Sequence, residues 1–323
     1  MAQWHGGDAS HKDPCFWLDI AVSTAERIGL DSNIGPGSLA LPDRIWWCLY
    51  VRDRIISLGF RRPMRIRSSP PEIQMLGSGE AHYEDLDGLT LDTLADAASL
   101  LSKDGQVQMN ALFIGEVKLA HCVGVLLAWL YEDTWVTVAT SNCVYSLTLK
   151  EEAPPAVVDE CEELLMKWMR ELPVDLHYIP NTFSLYLEGN TLENVMLVHR
   201  AFLHLLYLTS LSAVYRVRTD PNNTNTDQVR NLSSSVQSIL DELYQLQLLL
   251  LLPGTAVTVL ASMVEITIAD LRRSDGLIRS QAMLNLYAYE HIAIRMLETY
   301  PAAHMVLSQA QDVRLGLLGL REE

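Results

Sequence analysis

Along most of this chain, apolar residues recur at every third or fourth position, the spacing of helices that turn one face to a core. Phe16, Trp17, Ile20, Ala21, Thr24 and Ile28 follow it after Asp13-Pro14, and Gly29 stands where such a helix should stop. A loop over Asp31–Ser38 separates this helix from a second that ends near Leu58. Arg61–Gly79, basic and then marked by proline and glycine, reads as irregular. Helices are then predicted over Leu89–Leu101, Gln106–Tyr131, from Pro154-Pro155 to Leu172, and over Thr191–Val217. In Gln106–Tyr131 the isolated Gly115 and Gly124 point to close helix packing rather than breaks. Val174–Asn190 reads as a connection, and Thr219–Asp227, the most polar stretch, as a loop. Gln228–Leu252, Thr255–Leu271, Leu277–Thr299 and Ala302–Leu317 complete the series. Thr134–Leu149 is rich in β-branched residues, but with no partner strand in view it is assigned as irregular or partly helical. The pattern predicts an all-α fold: a single large helical domain of about ten packed helices over residues 1–323.

Composition narrows the function classes. Hydrophobic residues make up 49% and charged ones 20% of 323 residues, a globular balance with ample core. The formal net charge is −16, the opposite of the clustered Lys/Arg that displace counterions from a phosphate backbone, so no nucleic acid is expected to be held by this chain alone. The acidic balance also argues against an anionic membrane surface. The most apolar run, Leu248–Val264, is broken by Pro253-Gly254, so a membrane span is not expected. Cys15, Cys48, Cys122, Cys143 and Cys161 are too scattered for a zinc cluster or a redox pair, and the first residues lack a secretory signal. No metal and no cofactor is expected.

One stretch carries more information than the periodicity. Pro42–Ile66 runs Arg44-Ile45-Trp46-Trp47, then Leu49-Tyr50, Asp53-Arg54, Ser57 and Arg62-Pro63. This order closely resembles the signature of the fungal-specific transcription factor domain, the middle homology region of fungal zinc-cluster activators. Trp17–Leu30 resembles the helix before that signature, Asn194–Arg218 a downstream helix with a His and an aromatic face, and the stretch after Leu252 members of the cutinase-regulator type. The resemblance implies an all-α module that receives a metabolic signal or a partner, in a nuclear protein; outside a transcription factor it would be cytoplasmic, and in neither case secreted. The family's six-cysteine DNA-reading cluster has no match, and the chain reads as starting inside the family domain. The common signature has Gly-Arg-Pro where this chain has Arg61-Arg62-Pro63.

Within the signature, helical spacing groups Trp46, Leu49, Tyr50 and Asp53 on one side and Trp47, Val51, Arg54 and Leu58 on the next. An aspartate among aromatics needs a partner, and Arg61 or Arg62, returning after Gly59, is the expected one. Arg54 is expected to satisfy carbonyls or a distant acid. Arg44, Trp46, Trp47, Tyr50, Asp53, Arg54, Arg62 and Pro63 thus read as a structural lock. Arg61, Arg65, His199, Phe202, Tyr287 and His291 are candidate ligand contacts, and Tyr287, Glu290 and His291 share a face that an acid–base cluster could use. The partner would be a small hydrophobic metabolite or a regulatory protein; a homodimer is compatible with the sequence. No catalytic motif is recognisable. The rival reading is a stand-alone relative recruited to secondary metabolism as an enzyme, a cyclase or pericyclic catalyst such as a Diels-Alderase, using an apolar helical pocket.

Overall fold

A computed structural model describes residues 14–31, 40–67, 98–139, 142–150, 153–180, 191–217, 224–272 and 275–317. Among them the chain forms α1 (Pro14–Arg27), α2 (Leu41–Phe60), α3 (Ala98–Leu101) and α4 (Lys103–Leu130). A hairpin follows, β1 (Tyr131–Ala139) and β2 (Asn142–Leu149), and then α5 (Pro155–Glu171) and α6 (Thr191–Val217). The chain closes with α7 (Thr224–Gln245), α8 (Val257–Leu271), α9 (Gly276–Leu297) and α10 (Ala303–Leu317). The all-α expectation holds, with a two-stranded sheet as its one exception among the described residues.

Local chemistry accounts for the helix starts. Pro42 and Pro155 occupy first-turn positions, where a missing N–H is harmless. Ser102 caps α4 by accepting from the Gly105 N–H at 3.1 Å. Asp275 caps α9 through the N–H groups of Leu277 (2.9 Å) and Ile278 (3.2 Å). The predicted helix over Leu89–Leu101 is described only in its last turn, and Thr219–Asp227 only from Thr224, where α7 has begun; the rest lies outside the described residues.

Helix α2 is central: it packs against α1, α4 and α8, while α4 also meets α5 and α6, and α9 lies on α8 and α10. Two glycines mark close contacts between helices. A Cβ on Gly59 would sit 2.2 Å from the Cβ of Thr258, so α2 and α8 touch backbone to backbone there. A Cβ on Gly115 would stand 3.3 Å from Leu172 and 3.5 Å from Leu203 of α6, and the Gly115 carbonyl accepts from the Trp168 indole of α5 at 3.0 Å. Lys103–Leu130, Leu192–Val217 and Gly254–Leu271 are long and apolar enough to cross a membrane by length and composition, which the broken run at Pro253-Gly254 did not suggest. In this fold 56%, 72% and 78% of those windows is buried inside the protein, so their apolar side chains pack on neighbouring helices.

The assignment of Thr134–Leu149 as irregular or partly helical is corrected: the stretch holds most of β1 and all of β2, an antiparallel hairpin with Tyr131 opposite Leu149 and Val136 opposite Val144. The two halves of the stretch pair with each other rather than with a distant strand. The Thr134 and Thr148 hydroxyls meet at 2.9 Å on one face of the ladder.

Candidate functional site

From Trp46 onward α2 is buried almost all round, and the charged part of its signature is buried with it. Asp53 and Arg54 are each 1% exposed. The Asp53 carboxylate accepts from the guanidinium of its neighbour Arg54. Its other donors come from the chain that returns after α2: the Arg65 N–H at 2.8 Å and the Ile66 N–H at 3.0 Å. Both carboxylate oxygens are therefore filled, and the returning backbone is fastened to the helix it has just left. Burial pushes the Asp53 carboxyl above its usual range, and the Arg54 charge and the two N–H groups pull against it.

Arg54 occupies a slot built for it. Its guanidinium carbon lies 4.3 Å from the centre of the Tyr50 ring, a cation–π contact. Tyr50 in turn meets Trp47 edge to face, with ring centres 5.8 Å apart. On the α4 side, Gly124 leaves the space: a Cβ there would stand 2.6 Å from Arg54 Nε. One turn earlier on α4, His121 has its pKa lowered by burial and then by the Arg54 charge.

This arrangement corrects the expected pairing. Neither Arg61 nor Arg62 neutralises Asp53; Arg54 does, although adjacent positions point about 100° apart on a helix, because the long Arg side chain folds back along the turn. Arg61 ends α2 in the left-handed conformation, φ 53° and ψ 40°. That is the position where the common signature has glycine, the residue that adopts this conformation without steric cost. The Arg61 carbonyl accepts from the Leu147 N–H and the Ser146 hydroxyl, both at 2.8 Å, joining the hairpin to the turn. Its guanidinium lies 4.9 Å from the Tyr131 ring centre and 3.4 Å from Glu265 of α8, which also pairs with Arg216 of α6 at 3.2 Å. Glu265 thus ties together the α2 turn, α6 and α8. Sequence reading passed over it, though an acid alone within the apolar run Val257–Ile268 is a readable signal.

Arg62, Pro63 and Arg65 border a cleft of about 380 Å³ between α1 and α2, where Phe16, Asp19 and Ser57 supply other parts of the wall. Arg65 bridges it, donating to Glu26 at 3.1 Å and to the Ser23 hydroxyl at 3.3 Å. A second gap near Phe60 and Tyr300 has about 10 Å³, room for one water.

The other candidate contacts are not brought together. Phe202 is core on α6, and the half-buried His199 has its pKa lowered by burial. Tyr287, Glu290 and His291 share α9 but face different partners. Glu290 pairs with Arg314 of α10 at 3.2 Å, whereas His291 Nε2 meets the Tyr244 hydroxyl of α7 at 3.1 Å. Tyr287 lies beneath Arg314, 5.9 Å from ring centre to guanidinium. Among the described residues no three His, Cys, Asp or Glu side chains converge as metal ligands.

Fold and junction together define an all-α domain whose second helix is locked to its own return turn by a buried Asp-Arg pair. No family model matches the chain, and no solved structure matches it. Its curated relatives are fungal transcription factors. It is 27% identical to cutinase transcription factor 1 beta of Fusarium vanettenii, over 94% of this chain and 37% of that protein. It is 28% identical to a transcription factor of Fusarium pseudograminearum over 67% of this chain and 25% of that protein. With transcription factor cpaR of Aspergillus oryzae the identity is 29%, over 62% of this chain and 34% of that protein. The chain spans little more than a third of the length of the relatives it matches, or less. The resemblance read from the signature is thereby supported over most of the chain, and homology to fungal transcription factors is established for it.

Proposed function

We propose that this chain is a regulatory region of a fungal transcription factor, of the middle-homology type, which responds to a small hydrophobic metabolite or a regulatory protein and acts in the nucleus. One observation carries the reading: nearly the whole chain aligns with one continuous stretch of a cutinase transcription factor, a stretch that is a minor part of that protein. The net charge of −16 supports a role that does not grip DNA, since backbone binding draws on clustered cations. The charged cleft between α1 and α2 is the place where a ligand would alter the α2 turn, because Arg62 and Arg65 form its wall and the Arg65 backbone holds Asp53.

Deleting the gene and measuring pathway transcripts and metabolites together tests this. Transcripts of a pathway should fall, with all its products. Accumulation of a single intermediate with transcripts unchanged would instead identify the enzyme of the rival reading.

A further inference from the structure

The outer face of α9 breaks the pattern of the molecule. Leu277, Leu284, Tyr287 and Ile294 are 85%, 62%, 47% and 49% exposed. With Ser280 and His291 they fall at alternating steps of three and four, the a/d spacing of a coiled-coil seam. The core-facing side of the same helix is complete without them: Ala282, Leu286, Tyr289, Ile292, Ala293 and Met296 are buried against α8 and α10. The seam is about 25 Å long, at 1.5 Å per residue. Isolated exposed apolar residues mean little, but a continuous seam at this spacing marks a contact surface.

We infer that this face pairs with the same face of a second copy of the chain, the two α9 helices running antiparallel about a two-fold axis. Charge selects both the occupant and the direction. Asp275 lies at the start of the helix and Arg295 near its end, so an antiparallel self-pair sets each acid beside the opposite copy's base at both ends of the seam. A parallel pair would oppose Asp275 to Asp275 and Arg295 to Arg295. The antiparallel register also seats every apolar seam residue: Leu277 against Ile294 of the second copy, and Leu284 against its Tyr287. Arg295 has a local partner in Glu298, at 2.5 Å, and in the pair would bridge that acid and Asp275 of the second copy. The Tyr244–His291 contact extends the surface onto α7. The seam is narrower than the roughly 800 Å² per partner of a standard stable interface, so association should depend on concentration. The inference rests on the helix face alone and is independent of the regulatory reading.

Sedimentation velocity on the intact chain, at loadings from about 1 to about 100 μM, reads the outcome directly. The mass should rise from one chain to two across this range. Leu284→Glu should remain a monomer throughout, with a circular dichroism spectrum and a dilute-solution melt unchanged from the wild type, because the residue is exposed in the single chain. Arg295→Glu should weaken the dimer at least tenfold, and adding Asp275→Arg to it should restore much of the loss. A wild-type chain that stays monomeric, or a dimer indifferent to Leu284→Glu, overturns the interface. A dimer sensitive to Leu284→Glu that the charge exchange does not rescue overturns the antiparallel arrangement.

Discussion

At the junction of α2 with its return turn a full ion pair, Asp53–Arg54, is buried, whereas on the outer face of α9 leucines stand in solvent. Hydropathy alone would place these residues the other way round. The difference lies in what each region must do to hold. A buried carboxylate with three donors fixes one geometry, since any other arrangement leaves charge unpaired in a medium that does not solvate it. An exposed leucine fixes nothing within its own chain and gains only when another surface covers it. The junction therefore specifies the fold, and the α9 face is left over for contact.

The comparison breaks most visibly at the pair itself. Removing one member strands the other, at a cost of about 3–5 kcal/mol, so Asp53→Ala and Arg54→Met should each lower the unfolding free energy extrapolated from urea titration by that much. A loss below about 1 kcal/mol would mean that water already reaches the site. Gly124→Ala probes the same slot from α4. The methyl meets Arg54 Nε, and because Arg54 is pinned by Asp53 and Tyr50 it cannot swing aside. Overpacking of about 1–3 kcal/mol should outweigh the roughly 1 kcal/mol gained by replacing a helical glycine.

The next effect is a pH dependence. Glu116 of α4, facing Arg52 of α2, has its carboxyl pushed up to about 7 by burial, against the pull of that arginine. In the unfolded chain the group titrates near ~4.3. Between those values the folded protein holds a proton the unfolded chain has released, so stability falls as the pH climbs through this window. Glu116→Gln should flatten the slope and stabilise the protein at pH 8 by about 1–2 kcal/mol, a figure reduced because the side chain is partly exposed. Equal urea midpoints for both proteins at pH 5 and pH 8 would refute the shift.

Arg61 separates backbone from side chain. Arg61→Ala removes the contacts to Glu265 and Tyr131 but keeps the left-handed φ, whereas Arg61→Gly also removes the strain. The glycine variant should be the more stable of the two by about 1 kcal/mol. Identical stabilities would show that the left-handed turn relaxes once its side chain is gone.

The helices were legible because their burial is periodic: Thr191–Val217 was readable to the residue, and α8 to α10 to within about two. The hairpin was not, because the sequence between its strands, Thr140-Ser141, lacks the Asn-Gly or Asp-Gly chemistry that announces a two-residue connection, and no partner strand was in view. The signature named the residues of the junction but not their pairing. Which arginine meets Asp53 is decided by the left-handed stop at Arg61, which sends that side chain toward Glu265, and by the space at Gly124; neither follows from spacing along α2. The α9 seam is present in the sequence as Leu277, Leu284, Tyr287 and Ile294, but sequence cannot say which of two apolar stripes on one helix faces the core. Packing against α8 and α10 chooses the other.

The smallest effect is the most discriminating for the comparison. Leu284→Ser exchanges a large apolar side chain for a polar one, a change that would cost several kcal/mol in the core. On the open face of α9 it should alter the stability of the dilute single chain by no more than about 0.5 kcal/mol. At higher concentration the two proteins should diverge: the wild-type melting midpoint should rise with loading, as mass action stabilises a folded species that associates, and that of Leu284→Ser should not. Midpoints measured at two loadings therefore separate a leucine that helps the chain fold from one that serves a second molecule. If the variant is destabilised equally at both, the residue belongs to the core after all, and the contrast between the two regions fails at its exposed end.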